Sequence, residues 1–173
     1  MKKVLFLLLL GVFPFSAFAQ KIAKKEVDKF TKLEIIETSL ETMYSVNQFG
    51  TGWCNKFEFA IRKTNGIYSM PANILMNEIV KYTEKDGVTF LLDNDETIFL
   101  TTNFTGIGGE SFANGYWFKT SFTLEEADVE KLKHHKVTAI RISYLGGHYD
   151  REIKKNKQDL IANSLKLFDK ELK

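Results

Sequence analysis

Apolar and polar residues alternate with period two over most of this chain, so the pattern predicts strands before anything else. The sharpest signal is Asn65-Gly66, a pair that tolerates the positive φ angles of a two-residue type I′ hairpin. Pairing outward from Thr64 and Ile67 sets Ile61 opposite Met70, Phe59 opposite Ala72 and Phe57 opposite Ile74. All six are apolar and share one face, so turn chemistry and hydrophobic pattern agree on a single register. A second hairpin is predicted from Val88 to Leu92, through a turn at Asp93-Asn94-Asp95-Glu96, to Thr97–Thr102.

Other segments carry weaker patterns. From Phe30 to Tyr44, the set Ile36, Leu40 and Tyr44 keeps period two, while Leu33 and Ile35 fall on the other parity. That switch predicts a bulge near Ile35-Ile36. Residues 20–29 read as a charged, loosely held stretch, and residues 73–87 fit either a helical turn or a continued strand. After Gly115 a long strand places Tyr116, Phe118, Phe122 and Leu124 on one face. Thr123-Leu124-Glu125-Glu126 reads as a capping box opening a helix that runs to about His134. Thr138–Tyr144 returns to strand, and Leu145-Gly146-Gly147-His148 turns into a short strand from Tyr149 to Ile153. Leu160, Ile161, Ser164, Leu165, Phe168 and Leu172 then recur at helical spacing, with Asn156 as the expected cap. Strands joined by tight turns with helices late in the order predict an α+β fold. Its sheet would be antiparallel, curved and about eight strands wide, a width at which a sheet curls into a half-open barrel.

The first 19 residues do not belong to that domain. Lys2 and Lys3 precede an apolar run from Val4 to Phe13, and Ala17-Phe18-Ala19 supplies the small-x-small pattern of a signal peptidase site. The run is too short to span a bilayer, which takes roughly 20 apolar residues. The expectation is an exported protein, periplasmic or secreted, cleaved after Ala19, with one domain over residues 20–173 and no transmembrane segment in it. Of the 24 Lys and Arg residues the leader holds two, and it holds none of the 22 Asp and Glu. What remains is balanced, which is not the basic footprint of a nucleic-acid binder. Cys54 is the single cysteine, so no disulfide can form within one chain. A bridge between two chains, and hence a homodimer, stays open. Absence of a disulfide framework suits a bacterial exported protein, and the Asn103-Phe104-Thr105 sequon then carries no meaning.

Three segments also support a resemblance. Leu91-Leu92-Asp93-Asn94-Asp95-Glu96-Thr97-Ile98, Glu125 through Lys133, and Thr138-Ala139-Ile140-Arg141-Ile142 look like an uncharacterised small secreted domain family of Bacteroidetes. The likeness spans residues 86–143, and its motifs are a turn, a helix and a strand. It implies a lineage and a compartment, and carries over neither an activity nor a catalytic residue.

Candidate chemistry is sparse. Gly106-Ile107-Gly108-Gly109 invites a phosphate-loop reading, but no helical period follows to hold the phosphate, so a loop is expected. His134 and His135 are sequence neighbours and diverge by about 100° on a helix, and His148 lies in a glycine turn, so no metal site is expected. Ser111 lacks the second glycine of a nucleophile elbow. Cys54 beside Trp53 reads as a small buried hydrophobe. No catalytic residue and no cofactor is assigned. Lys131, Lys133, His134, His135 and Lys136 read as a helix end favoured by the helix dipole.

What remains is aromatic. The connections from Ser45 to Lys56 and from Asn103 to Gly115 carry Phe49, Trp53, Phe104 and Phe112, and Trp117 follows directly. Asn103 and Asn114 are interleaved with them, as are Asn47, Gln48 and Asn55. Rings that stack on apolar faces beside amides that bind hydroxyls or backbone suit a sugar or a peptide. The competing reading is that these rings cover the end of the sheet as core. The functional expectation is a non-enzymatic binding or interaction module with a protein or carbohydrate partner. The alternatives are a cell-envelope hydrolase or inhibitor, or a structural assembly partner.

Overall fold

The computed structural model describes residues 20–48, 53–102, 106–108, 110–112 and 115–171; at 47, 48, 53, 54, 106–108, 110–112 and 171 the description is of the backbone. The leader at 1–19 lies outside these residues. In chain order the first strands are β1 (Ile22–Val27), β2 (Glu34–Thr38), β3 (Glu41–Gln48), β4 (Trp53–Phe59), β5 (Arg62–Thr64) and β6 (Ile67–Met76). Then come β7 (Val80–Tyr82), β8 (Gly87–Leu92), β9 (Thr97–Thr101), β10 (Gly106–Gly108), β11 (Glu110–Phe112) and β12 (Gly115–Leu124). Helix α1 (Glu126–His134), strands β13 (Val137–Tyr144) and β14 (Gly147–Glu152), and helix α2 (Leu160–Glu171) complete the order.

The architecture is α+β and antiparallel, with one helix mid-chain and one at the C-terminal end, as the pattern predicts. The strands do not close into a barrel. They divide instead into an eight-stranded sheet along β1-β2-β5-β6-β12-β11, with β3 and β4 beside it, and a four-stranded sheet β14-β13-β8-β9. A two-stranded ribbon pairs β7 with β10. One core joins the sheets. Phe57, Phe59, Met70, Ile74, Phe118 and Phe122 from the larger sheet and Val88, Phe90, Leu100, Ile140 and Ile142 from the smaller are all buried within it. Phe57 and Phe90 meet edge to face across it, with centroids 6.3 Å apart, the arrangement ring quadrupoles favour.

The Asn65-Gly66 hairpin stands as expected. Thr64 pairs with Ile67, Phe59 with Ala72 and Phe57 with Ile74, and the turn residues have φ of 49° and 85°. The second hairpin pairs Leu91 with Thr97 and Phe90 with Ile98. Residues 73–76 continue β6, and only then does the chain turn into β7.

Several local expectations fail for identifiable reasons. Residues 22–27 are an ordered edge strand on β2, because backbone pairing asks nothing of the side chains and charges suit an edge. The stretch from Phe30 to Tyr44 is two strands, with Leu40 at their break half exposed and the register shift between Thr42 and Tyr44 rather than at Ile35. Thr123 does not cap α1. It pairs with Ser69 in the β12–β6 ladder, which outcompetes the capping box, and the cap position falls to Glu125 with no side-chain hydrogen bond. Asn156 lies inside a 3-10 turn (Lys155–Lys157) ahead of α2. Gly106–Gly108 is a strand on β7 rather than a loop. The two helices pack together at the end of the sheets bearing Tyr68, whose ring meets Phe168 at 5.5 Å.

Candidate binding face

Of the aromatic residues singled out above, the described ones lie toward one end of the larger sheet. Gln48 pairs with Trp53, Met76 with Tyr116, and Phe112 with Gly115, so the paired ends of β3 and β4 and of β11 and β12 share that end. Phe49, Asn103, Phe104 and Asn114 lie outside the described residues, and Trp53 and Phe112 are placed as backbone positions at the ends of β4 and β11. Trp117 is half-buried, paired with Leu75 and Glu110, with the Lys56 ammonium 5.9 Å from its ring centre. Lys56 is itself paired with Glu58. Asn55 is buried nearby, and its side-chain oxygen has no hydrogen-bond partner among the described residues. Cys54 pairs with Asn47 in the β3–β4 ladder.

The charged cluster of α1 is spent on internal pairs. Lys131 meets Glu96 at 2.8 Å, Lys133 meets Asp169 at 3.0 Å, His134 faces Glu130 at 3.7 Å, His135 meets Asp93 at 3.0 Å and Lys136 faces Asp159 at 3.5 Å. Hydrogen bonding to the His135 ring holds the Asp93 carboxyl below the usual carboxylate range, and Lys131 does the same for Glu96. These contacts tie the α1 end to the β8–β9 turn and to α2.

A different surface offers a built site. The four-stranded sheet buries Val88, Phe90, Ile98, Leu100, Ile140 and Ile142 on its inner face, so the alternate residues face outward. The register sets them in rows across the strands. One row runs Asp150–Arg141–Thr89–Phe99, the next Glu152–Ala139–Leu91–Thr97. At about 4.8 Å per strand, four strands span roughly 14 Å. Phe99 is half exposed although its neighbours in β9 alternate normally. A cavity of about 780 Å³ is bounded by Thr89, Leu91, Thr97, Ala139, Arg141, Asp150 and Glu152, and reaches Val46, Ile140 and Arg151 at the β14 edge.

The electrostatics of this face are those of a fixed dipole. Arg141 and Asp150 form a two-pronged pair, Nε to Oδ1 at 2.7 Å and the terminal nitrogen to Oδ2 at 2.6 Å. Hydrogen bonding within the pair pushes the Asp150 carboxyl below its usual range and Arg141 above its own. Both groups therefore stay charged at every physiological pH, which suits recognition rather than proton transfer. On the other parity of β14, opposite the buried Ile142 and Ile140, the Arg151 guanidinium lies 4.7 Å over the Tyr149 ring.

The aromatic pattern pointed elsewhere and missed this face. Its signal was present: Leu91 and Phe99 are apolar on the solvent parity of two otherwise regular strands. Compared with known proteins, the chain matches no family model, no curated protein and no solved structure.

Proposed function

We propose that this protein is an exported, non-enzymatic binding module that holds a short oligosaccharide on the open face of its four-stranded sheet. The observation that carries the reading is the row Asp150–Arg141–Thr89–Phe99 beside a cavity of about 780 Å³. That volume lies within the range of small-ligand sites. The Arg141–Asp150 pair leaves its remaining N–H donors and carboxylate lone pairs for vicinal hydroxyls. The Thr89 and Thr97 hydroxyls donate or accept, and Phe99 and Leu91 offer apolar surface for the C–H face of a sugar ring. A span of roughly 14 Å suits about three sugar rings. Export rests on the leader read at residues 1–19, and a Bacteroidetes lineage on the resemblance at residues 86–143.

A combined glycan and peptide array, probed with the protein and with Leu91→Arg, tests this. Leu91 is half-buried on the outward face, so the variant keeps the core and fills the cavity with a charged chain. The expected result is selective glycan binding that Leu91→Arg abolishes. Binding confined to peptides, or equal glycan binding by both proteins, would refute the oligosaccharide reading.

A further inference from the structure

The turn between β1 and β2 has no place in the core or in the proposed binding face, yet it is closely hydrogen-bonded. Asp28 organises it. One carboxylate oxygen, Oδ1, accepts from the amides of Phe30 at 2.9 Å and Thr31 at 2.6 Å and from the Thr31 hydroxyl at 2.9 Å. The backbone closes around it, with the Lys32 amide donating to the Asp28 carbonyl and the Asp28 amide to the Leu33 carbonyl, both at 2.9 Å. Lys32 takes a left-handed φ of 61° to complete the turn. The neighbouring tip is tied on, since the Asn65 amide donates to the Glu34 carbonyl at 3.3 Å.

This rigid tip presents apolar surface to solvent. Phe30 is 95% exposed, and Val27 and Ile67, at the same corner of the sheet, are 59% and 65% exposed. A turn held by Asp28 in this way requires no aromatic side chain at Phe30, and the ring contributes nothing to the core. Lys29 and Lys32 flank the ring and form no ion pair among the described residues. Against them stand the Asp28 carboxylate, engaged through Oδ1 by the turn's own amides and hydroxyl, and Glu34, while Glu26 is held by Lys24 at 2.8 Å.

The geometry points to the 28–33 turn as an anchor on an anionic lipid surface: Phe30 enters the boundary between headgroups and acyl chains while Lys29 and Lys32 sit over lipid phosphates. An exposed aromatic flanked by unpaired cations has the chemistry of interfacial binding, in which apolar burial and attraction to anionic lipid add. A preformed turn keeps the ordering cost low. The anchor is peripheral and reversible, and it lies outside the rows that form the sugar-binding face.

The test is co-sedimentation with vesicles of phosphatidylcholine alone and of phosphatidylcholine with one quarter phosphatidylglycerol, at low and high salt. The expected result is binding to the phosphatidylglycerol vesicles that salt weakens, with little on phosphatidylcholine alone. Phe30→Ala, exposed and without core contacts, should fold normally and lower the binding constant at least about tenfold, as loss of one buried ring predicts. Lys29→Glu with Lys32→Glu should remove the preference for phosphatidylglycerol. Phe30→Trp should be quenched by lipids brominated on the acyl chain more strongly than the native tryptophans are. No binding to anionic vesicles, or equal binding by Phe30→Ala, would overturn the proposal. Vesicle binding without glycan binding would leave this inference standing and the proposed function refuted.

Discussion

Replacing Gly87 by alanine should strain the four-stranded sheet from within, at the pairing of β8 with β9. A Cβ built on Gly87 would sit 2.1 Å from the Leu100 carbonyl oxygen, 3.0 Å from its carbon and 3.1 Å from Thr101 Cα. All three are backbone atoms, so no rotamer change relieves the overlap, which is about 1 Å or more. β8 must withdraw from β9, and the strain reaches Val88 and Leu100, buried partners one residue on. It also reaches the Thr102 amide, which donates to the Asp86 carbonyl at 3.2 Å. Overpacking of this kind costs about 2–3 kcal/mol. At about 2–4 °C per kcal/mol for a domain of this size, the melting temperature should fall by about 4–12 °C. Gly66→Ala is the control: its Cβ meets nothing within 4 Å, and only the φ of 85° is unfavourable, a cost of about 1 kcal/mol. Differential scanning calorimetry of the three proteins decides. A Gly87→Ala protein melting within about 2 °C of wild type would refute the close approach of β8 and β9.

Two further outcomes follow from the geometry. At Gly66, valine should destabilise more than asparagine, because a β-branched residue tolerates positive φ poorly; equal melting temperatures would mean the turn is not type I′. Asp28, Asp93 and Asp150 all have depressed folded-state pKa values, so their contribution is present above the ordinary carboxylate range and is lost as pH falls through the depressed values. Urea midpoints should therefore drop below about pH 4, less steeply in Asp93→Asn; an unchanged slope in that variant would contradict the His135 contact.

Local chemistry made part of this molecule legible in its sequence, and non-local pairing hid the rest. The Asn65-Gly66 hairpin could be read because turn type and apolar parity are both short-range. The β12–β6 ladder joins residues some fifty positions apart, so nothing near Thr123 announces that Ser69 will claim it as a strand residue. The N-terminal strand was hidden for the opposite reason. Its exposed lysines and glutamate bury almost nothing, and its order comes from the backbone of β2. The aromatic rings at 49–53 and 104–117 drew attention by residue type. The proposed binding face offers only Leu91 and Phe99 on the wrong parity, and becomes a surface when β13 lies between β14 and β8. Arg141 and Asp150 are nine residues apart in sequence, yet only the β13–β14 register shows that they meet.

The most direct test of the account is amide chemical-shift mapping of the labelled protein titrated with chitotetraose, cellotetraose and maltotetraose. The account predicts saturable shifts for at least one of these sugars. They should be concentrated at Thr89, Leu91, Thr97, Phe99, Ala139, Arg141 and Asp150, and absent in Leu91→Arg. No shift with any of the three, or shifts gathered at the Trp117 end of the larger sheet, would contradict it.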